Sequence, residues 1–263
     1  MPLRLLSTDF DGTIFAEFEN PPVPQQLQDL IAGLQANGAK WVINTGRDMS
    51  SLQEAVGRSH LTVQPDYLVL VEREIYRHDG SRYVADPAWN SECSRRHEGV
   101  FAQLRPLLPA IHAWINDRFR ATLYEDSYSP FCLIAGNNGD ADAIVAYLEN
   151  LCRDIPDLVV VRNDIYMRFS HAAFNKGSAL TEIARQLGVA AGHICAAGDH
   201  LNDLPMLRRQ VARWLVAPSN AVPLVKEAVL AQGGYLSGQA RGLGIADGLE
   251  WALRAAAPIR RPA

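Results

Sequence analysis

The residues of this chain that could do chemistry include acidic side chains placed directly after apolar segments. LRLLSTDFDGTIF ends an apolar run with Asp9 and Asp11, and HICAAGDHLND repeats the arrangement with Asp199. Grouped carboxylates raise one another's pKa, and a hard divalent cation relieves their repulsion. Because carboxylate oxygens suit Mg²⁺, we expect Asp9, Asp11 and Asp199 to hold this ion.

A second set of polar residues supplies a hydroxyl group and positive charge. Thr45, Gly46 and Arg47 follow the apolar segment KWVIN, and Lys176 opens KGSALTEIARQLG. A site where Mg²⁺, lysine and arginine converge is suited to a phosphoryl group. We therefore predict phosphoryl transfer, with Thr45, Gly46 and the backbone N–H groups freed by Gly12 near the phosphoryl oxygens.

The predicted reaction divides its steps between the first two aspartates. Asp9 ends a rigid strand and can be aimed in line, so we expect it to attack phosphorus and form an aspartyl-phosphate. Asp11 can protonate the leaving oxygen and later take a proton from water, which requires a raised pKa. Lys176 would neutralise charge on the nucleophile and on the phosphate, and Asp199 would bind Mg²⁺ directly.

Three further residues are expected to support this chemistry. Asn202 and Asp203 would orient the metal ligands and Lys176 rather than bind metal themselves. Arg47 has two alternatives, a contact with substrate or a salt bridge inside the core.

These residues need a scaffold that brings distant segments to one edge. The apolar segments LRLLSTDF, KWVINT and DYLVLV alternate with segments of helical periodicity. Such β-α-β-α-β alternation predicts a parallel sheet, which resumes at NKGSALTEIARQLGV with HICAAGD and ARWLVAP as strands four and five. NDLPMLRR is predicted as a short helix. In doubly wound order strands one and four are neighbours, which would bring Asp9, Asp11 and Asp199 together.

The middle of the chain has a different pattern. EIYRHDGSRYVAD suggests short strands, a helix is predicted over about 88–105, and two strand pairs flank the amphipathic ADAIVAYLENLCRD. We predict an α/β, doubly wound, Rossmann-like core of residues 1–79 and 172–263 with an inserted α+β (αββαββ) cap, 80–171. The candidate specificity residues of the cap are Arg118, Arg120, Glu125, Asp126, Tyr128, Arg162, Asn163 and Arg168.

Composition narrows the classes of partner. The 263 residues carry a formal charge of −4, which argues against a nucleic-acid partner because such a partner needs a concentrated basic face. No apolar run reaches the roughly 20 residues that span a bilayer, and the N-terminus does not fit a signal peptide. We expect a cytoplasmic monomer or small homo-oligomer that acts on a small phosphorylated metabolite.

Four short segments resemble a known family. DFDGT, NTGR, NKGSAL and GDHLND are similar, in order, to the four motifs of the haloacid dehalogenase superfamily of phosphatases. The insert between the second and third motifs resembles the type-two (IIB) cap of the Cof-type and sucrose-phosphatase-like branch. The resemblance implies a Mg²⁺-dependent phosphatase with Asp9 as nucleophile and Asp11 as acid/base, and a metal contact through the Asp11 backbone carbonyl. GQARGLGIADGLEWAL is similar to sucrose-phosphatase-type enzymes, which favours a sugar phosphate.

Two other functions fit the same residues. A sugar phosphomutase would return the phosphoryl group to sugar rather than to water. A non-catalytic phosphosugar-binding protein would need no nucleophile paired with an acid, so the presence of both Asp9 and Asp11 argues against it.

Overall fold

The structure, a computed structural model, describes residues 3–256. The chain forms two compact units. One contains residues 3–86 and 176–256, and the other is Pro87–Asn175.

The described helices and strands follow one another along the chain. They are β1 (Leu5–Thr8), α1 (Gln25–Ala36), β2 (Lys40–Asn44), α2 (Met49–Ser59), β3 (Tyr67–Leu70), β4 (Glu74–His78), β5 (Tyr83–Ala85), α3 (Pro87–Leu104), α4 (Leu108–Asn116), β6 (Ala121–Tyr124), β7 (Cys132–Ala135), α5 (Asn138–Cys152), β8 (Leu158–Asn163), β9 (Tyr166–His171), α6 (Lys176–Leu187), β10 (Ile194–Ala197), β11 (Trp214–Ala217), α7 (Pro223–Ala231), β12 (Tyr235–Leu236) and α8 (Arg241–Ala256).

The first unit is built on one sheet. Among the described residues it has eight strands in the order β12-β11-β10-β1-β2-β3-β4-β5. The strands from β12 to β3 pair in parallel, and β4 and β5 add an antiparallel edge. Ser7 of β1 lies opposite Ala196 of β10 and Val42 of β2. The predicted Rossmann-like fold is confirmed, and the first and fourth predicted core strands are neighbours in the sheet.

Burial explains why the central strands are continuous apolar runs. Every residue of β1, β3 and β10 is buried, as expected where helices cover both faces of a parallel sheet. Helix α1 turns Leu27, Ile31 and Leu34 into this core, which is the spacing of one helical face. Trp41 of β2 is fully buried, and its Nε1 donates to Thr8 Oγ1 at 3.1 Å.

The second unit has a sheet and a core of its own. Its described strands form an antiparallel sheet in the order β6-β7-β9-β8, with α3, α4 and α5 among its elements. The buried members of its core cluster all lie between Val100 and Phe169. The αββαββ order is present, with the first helix divided into α3 and α4 by a 3₁₀ turn, Arg105–Leu107. Pro106 lies in that turn, and proline interrupts the backbone hydrogen bonding of a helix.

The unit boundaries fall a few residues from the predicted ones. The predicted boundaries were 79/80 and 171/172, whereas the units divide at 86/87 and 175/176. The first difference arises because β5 pairs with β4 at the edge of the parallel sheet. Residues 80–86 therefore belong to the first unit.

Two local predictions about the first unit need correction. NDLPMLRR is not an α-helix: it contains a 3₁₀ turn, Leu201–Asp203, followed by irregular turns. Pro205 follows that turn and has no backbone N–H, so it cannot donate the hydrogen bond to Leu201 O that an α-helix would need. Strand β12 was not predicted, since a two-residue strand leaves no periodic pattern.

None of the helices within residues 3–256 is both long and apolar enough to cross a membrane.

Candidate active site

Asp9 follows β1 at its carboxyl end. Its backbone N–H donates to Ala197 O in β10 at 2.9 Å, which fixes the residue between two strands. The side chain is buried, and its Oδ1 accepts a hydrogen bond from Lys176 Nζ at 2.6 Å. Burial raises the pKa of Asp9 well above its ordinary value; Lys176 opposes this shift, and the carboxylates of Asp203 and Asp199 add to it. Asp9 is thus a carboxylate whose charge depends on its neighbours.

Lys176 is the first residue of α6 and is fully buried. Its Nζ lies 2.6 Å from Asp9 Oδ1 and 2.6 Å from Asp203 Oδ1. Burial lowers the pKa of Lys176, but the charges of Asp203 and Asp9 more than offset it, so the pKa is raised. The side chain is therefore an ammonium ion that joins two acidic segments far apart along the chain.

Asp203 organises the loop after β10. Its Oδ2 accepts from the backbone N–H of Asp199 at 2.8 Å and of His200 at 3.0 Å, while Oδ1 faces Lys176. Gly198 makes this possible, because a Cβ there would lie 2.4 Å from Asp203 Cγ. With both oxygens engaged by the chain, Asp203 is suited to orienting its neighbours, the role predicted for it.

Asp199 is held by side chains from two other loops. Thr13 Oγ1 donates to its Oδ1 at 2.5 Å, and Asn220 Nδ2 lies 3.3 Å from its Oδ2. Burial, with the charge of Asp203, raises the pKa of Asp199 to about 7. Gly12 has a φ of +72°, and a Cβ there would lie 2.7 Å from Asp199 Oδ2. Any larger residue at position 12 would displace the Asp199 carboxylate.

These carboxylates fit a hard divalent cation. One ligand atom from each of Asp9, Asp199 and Asp203 lies within 4.8 Å of the others. Burial raises the free energy of grouped, ionised carboxylates, and a cation bound to their oxygen atoms lowers it. Asn202 Oδ1 is also buried and has no hydrogen-bond partner among residues 3–256. The donor set matches the preference of Mg²⁺ for oxygen.

The Asp11 side chain is directed to Arg47. Arg47 Nε and Nη2 donate to the two Asp11 oxygens, each at 2.7 Å. This hydrogen bond raises the pKa of Arg47. Of the two alternatives for Arg47, the structure contains a salt bridge, although its side chain is 29% exposed and not part of the core.

Thr45 and Gly46 occupy the loop after β2. Thr45 is buried, its backbone N–H donates to Val69 O at 2.9 Å, and its Oγ1 accepts from Arg47 N at 3.2 Å. Gly46 lies between Thr45 and Arg47. The loop therefore stands at the carboxyl ends of β2 and β3, the edge of the sheet at which Asp9 follows β1.

Comparison with known proteins identifies the family. The model of the haloacid dehalogenase-like hydrolase family matches residues 112–235, and that of sucrose-6F-phosphate phosphohydrolase matches residues 2–113. This chain is a haloacid dehalogenase-like hydrolase. The predicted family and enzyme class, a phosphatase of this superfamily, are confirmed.

The hydrolase is similar to its relatives over most of its length. A Bacillus subtilis protein named "Putative phosphatase YxeH" is 23% identical over 253 residues, 86% of this chain and 90% of that protein. The sucrose-phosphatase of Synechocystis sp. PCC6803, solved with sucrose and phosphate, has a TM-score of 0.70 at 20% identity, covering 96% of this chain and 98% of that one. A haloacid dehalogenase-like hydrolase of Bacteroides thetaiotaomicron has a TM-score of 0.64 at 16% identity, covering 95% and 99%. These solved structures show a shared fold.

Four residues of this hydrolase join the site without having been predicted. Thr13 and Asn220 contact Asp199, Asn44 Nδ2 donates to Lys176 O at 3.0 Å, and Glu72 accepts from Asn202. A usable signal existed for three of them. Asn44, Glu72 and Asn220 lie at or just after the carboxyl ends of parallel strands, where binding loops gather.

The candidate residues of the insert differ in their contacts and in the face of the sheet on which they lie. Arg162 is bound by Asp142 and Asn138 of α5, Asp126 accepts from the backbone of Tyr128 and Ser129, and Arg118 lies over Trp114. Arg168 alternates with Met167 and Phe169, which pack in the core of the insert, so it lies on the opposite face of the sheet. Asn163 pairs with Tyr166, which lies on the same face of β9 as Arg168, so Asn163 and Arg168 share that face.

Proposed function

We propose that this hydrolase is a Mg²⁺-dependent phosphatase that releases phosphate from a small phosphorylated metabolite, a sugar phosphate. The observation that carries the proposal is the buried group of Asp9, Lys176, Asp199 and Asp203 at one edge of the sheet. The match of residues 2–113 to the sucrose-6F-phosphate phosphohydrolase family model supports a sugar phosphate.

In the first half of the reaction Asp9 is the nucleophile. Lys176 holds its Oδ1, so we assign the attack on phosphorus to Oδ2. A bond forms between Asp9 and phosphorus, the ester P–O bond breaks, and Asp11 gives its proton to the leaving oxygen. In the second half, water attacks the aspartyl-phosphate and passes its proton to Asp11. Phosphate leaves, and both carboxyl groups return to their starting state.

The ion pair with Arg47 bears on the acid role of Asp11. Arg47 donates two hydrogen bonds to the Asp11 carboxyl group, whereas the first step needs that group to face the leaving oxygen. The guanidinium group of Arg47 therefore has to leave Asp11 and contact the phosphoryl group when substrate binds. This movement would give Arg47 both of its predicted roles, a salt bridge before binding and a substrate contact after it.

The remaining residues bind and orient. Mg²⁺, held by Asp9, Asp199 and the predicted Asp11 backbone carbonyl, would neutralise charge on the phosphoryl oxygens. Thr45 and the backbone around Gly12 and Gly46 would donate to those oxygens. The insert, as a cap, would select the metabolite, and Asn163 and Arg168, on the face of its sheet opposite its core, are its candidate contacts.

The Asp9→Asn variant tests the nucleophile. An amide is isosteric with the carboxylate but cannot attack phosphorus, so phosphate release should fall by about a thousandfold or more. Phosphate is measured with Mg²⁺ present, over a panel of sugar phosphates and p-nitrophenyl phosphate, with circular dichroism to confirm the fold.

Asp29→Asn is the matched control. Asp29 is an exposed aspartate of α1 that contacts Gln25, and its variant should keep wild-type turnover. Substantial turnover by Asp9→Asn would contradict the assigned nucleophile. A wild-type protein that releases no phosphate from any compound of the panel would contradict the proposed function.

A further inference from the structure

Glu72 is a buried carboxylate that the reaction above leaves without a role. It is 7% exposed, and its Oε1 accepts a hydrogen bond from Asn202 Nδ2 at 2.9 Å. Burial lowers the pKa of Lys176, and the charges that raise it are those of Asp203, Asp9 and Glu72. Glu72 is thus electrostatically part of the acidic site.

The backbone at Glu72 is unfavourable for its residue type. Val71 and Glu72 have φ values of 45° and 68°, and Arg73 N donates to Leu70 O at 2.9 Å. Two successive positive φ values in a tight hairpin define a type I′ turn, which Asn-Gly fills at the lowest cost. A glutamate kept in such a conformation at a functional site suggests a use for its side chain.

The turn is fixed on the neighbouring loop of the site. Val71 N donates to Arg47 O, and Glu72 N donates to Thr45 O, each at 2.9 Å. The backbone of Glu72 is therefore held by the loop after β2, while its side chain reaches the loop after β10. Glu72 links three loops that carry predicted site residues.

Glu72 determines which atom of the Asn202 amide faces which way. A carboxylate only accepts hydrogen bonds, so the amide NH₂ group must face it. The other atom, Asn202 Oδ1, is buried and has no partner within the described part of the chain. An unpaired buried acceptor is costly, and a water ligand of a bound cation is a donor that would pair it.

We propose that Glu72 is a positioning residue, which orients the Asn202 amide so that Oδ1 accepts a hydrogen bond from a water ligand of the bound cation. The inference rests on the proposed function only in placing a cation at Asp9 and Asp199.

The test measures Mn²⁺ binding by electron paramagnetic resonance, without substrate. Glu72→Gly and Asn202→Ala should each weaken binding by about 10- to 100-fold. The double variant should bind no more weakly than Asn202→Ala alone, because Glu72 acts through Asn202. Glu72→Gln keeps an acceptor of the same length and should stay within about threefold of the wild type.

Thermal unfolding supplies a second readout. Glycine adopts a φ of 68° without strain, so Glu72→Gly should melt at or above the wild-type temperature while binding Mn²⁺ more weakly. The matched control is Glu74→Gln, which removes one charge from the same hairpin; Glu74 accepts from Tyr76 Oη instead. Its Mn²⁺ affinity should not change.

Three results would overturn the inference. They are additive losses in the double variant, a Glu72→Gln loss as large as that of Glu72→Gly, and unchanged Mn²⁺ affinity in Glu72→Gly. A wild-type protein that shows the expected coupling but releases no phosphate would contradict the proposed function alone.

Discussion

At the scale of single residues, the site depends on charges that are expensive to bury. Lys176 offsets the charges of Asp9 and Asp203, but Asp199 has no cation within a hydrogen bond among the described contacts. Its polar contacts are neutral groups, Thr13 Oγ1 and Asn220 Nδ2. Asp199 is therefore the residue at which a bound metal ion should have the largest effect on protonation.

We predict that stability in EDTA falls as the pH rises from about 4 to 7. The pKa of Asp199 is about 7 in the folded chain, because of burial and the charge of Asp203, and about 3.9 when unfolded. Between these values the folded state holds a proton that the unfolded state has released, so raising the pH favours unfolding. For one group the unfolding equilibrium constant changes by at most about tenfold per pH unit. Urea unfolding at pH 5, 6, 7 and 8 measures this slope.

Saturating Mg²⁺ should flatten the same slope, because the ion takes the place of the proton. The Asp199→Asn variant is the control: its amide does not titrate, so it should show a smaller slope in EDTA and little stabilisation by Mg²⁺. Equal slopes with EDTA and with Mg²⁺ would contradict a metal site at Asp199.

At the scale of elements, the site depends on glycines that let loops approach one another. Gly12 has a φ of +72°, and its missing side chain leaves room for Asp199; Gly38, after α1, has a φ of +85° with nothing within 4 Å. The two positions share a left-handed backbone, which strains a residue other than glycine, but they differ in their surroundings. They form a matched pair for separating the two effects.

We predict that Gly12→Ala and Gly38→Ala destabilise the protein by a similar amount, about 1 kcal/mol. Only Gly12→Ala should also impair function, since its methyl group displaces the Asp199 carboxylate. Phosphate release at limiting Mg²⁺ should fall by at least about tenfold in Gly12→Ala and stay unchanged in Gly38→Ala. Parallel losses of activity in both variants would attribute the effect to backbone strain.

The elements also show what could be predicted from the sequence. Asp9, Asp199 and Lys176 follow or precede long apolar patterns, so their convergence could be expected from the parallel-sheet rule. The contact between Glu72 and Asn202 could not, because it depends on a type I′ turn whose Val-Glu sequence is not typical of that turn. The unit boundary lies at 86/87 rather than at the predicted 79/80 because β5 pairs with β4 across a second turn, in which Asp79 N donates to Arg82 O at 3.0 Å.

At the scale of the whole molecule, the residues predicted for the reaction all belong to one unit. The core sites run from Asp9 to Arg47 and from Lys176 to Asp203, and both stretches lie outside Pro87–Asn175. The insert contributes none of them. Its proposed part is the choice of metabolite, which requires a stable sheet but no catalytic group.

We predict that Pro87–Asn175 folds when it is produced alone. The buried members of its core cluster lie between Val100 and Phe169, so the isolated segment retains every one of these apolar contacts. An antiparallel four-stranded sheet packed against helices is also above the size at which a sheet is stable by itself. Urea unfolding followed by circular dichroism should give a single cooperative transition.

Phe169→Ala, which empties a fully buried position, should lower the free energy of unfolding of this segment by about 3–5 kcal/mol and abolish that transition. A gradual, non-cooperative loss of signal in the unaltered segment would show that the insert depends on the first unit for its fold.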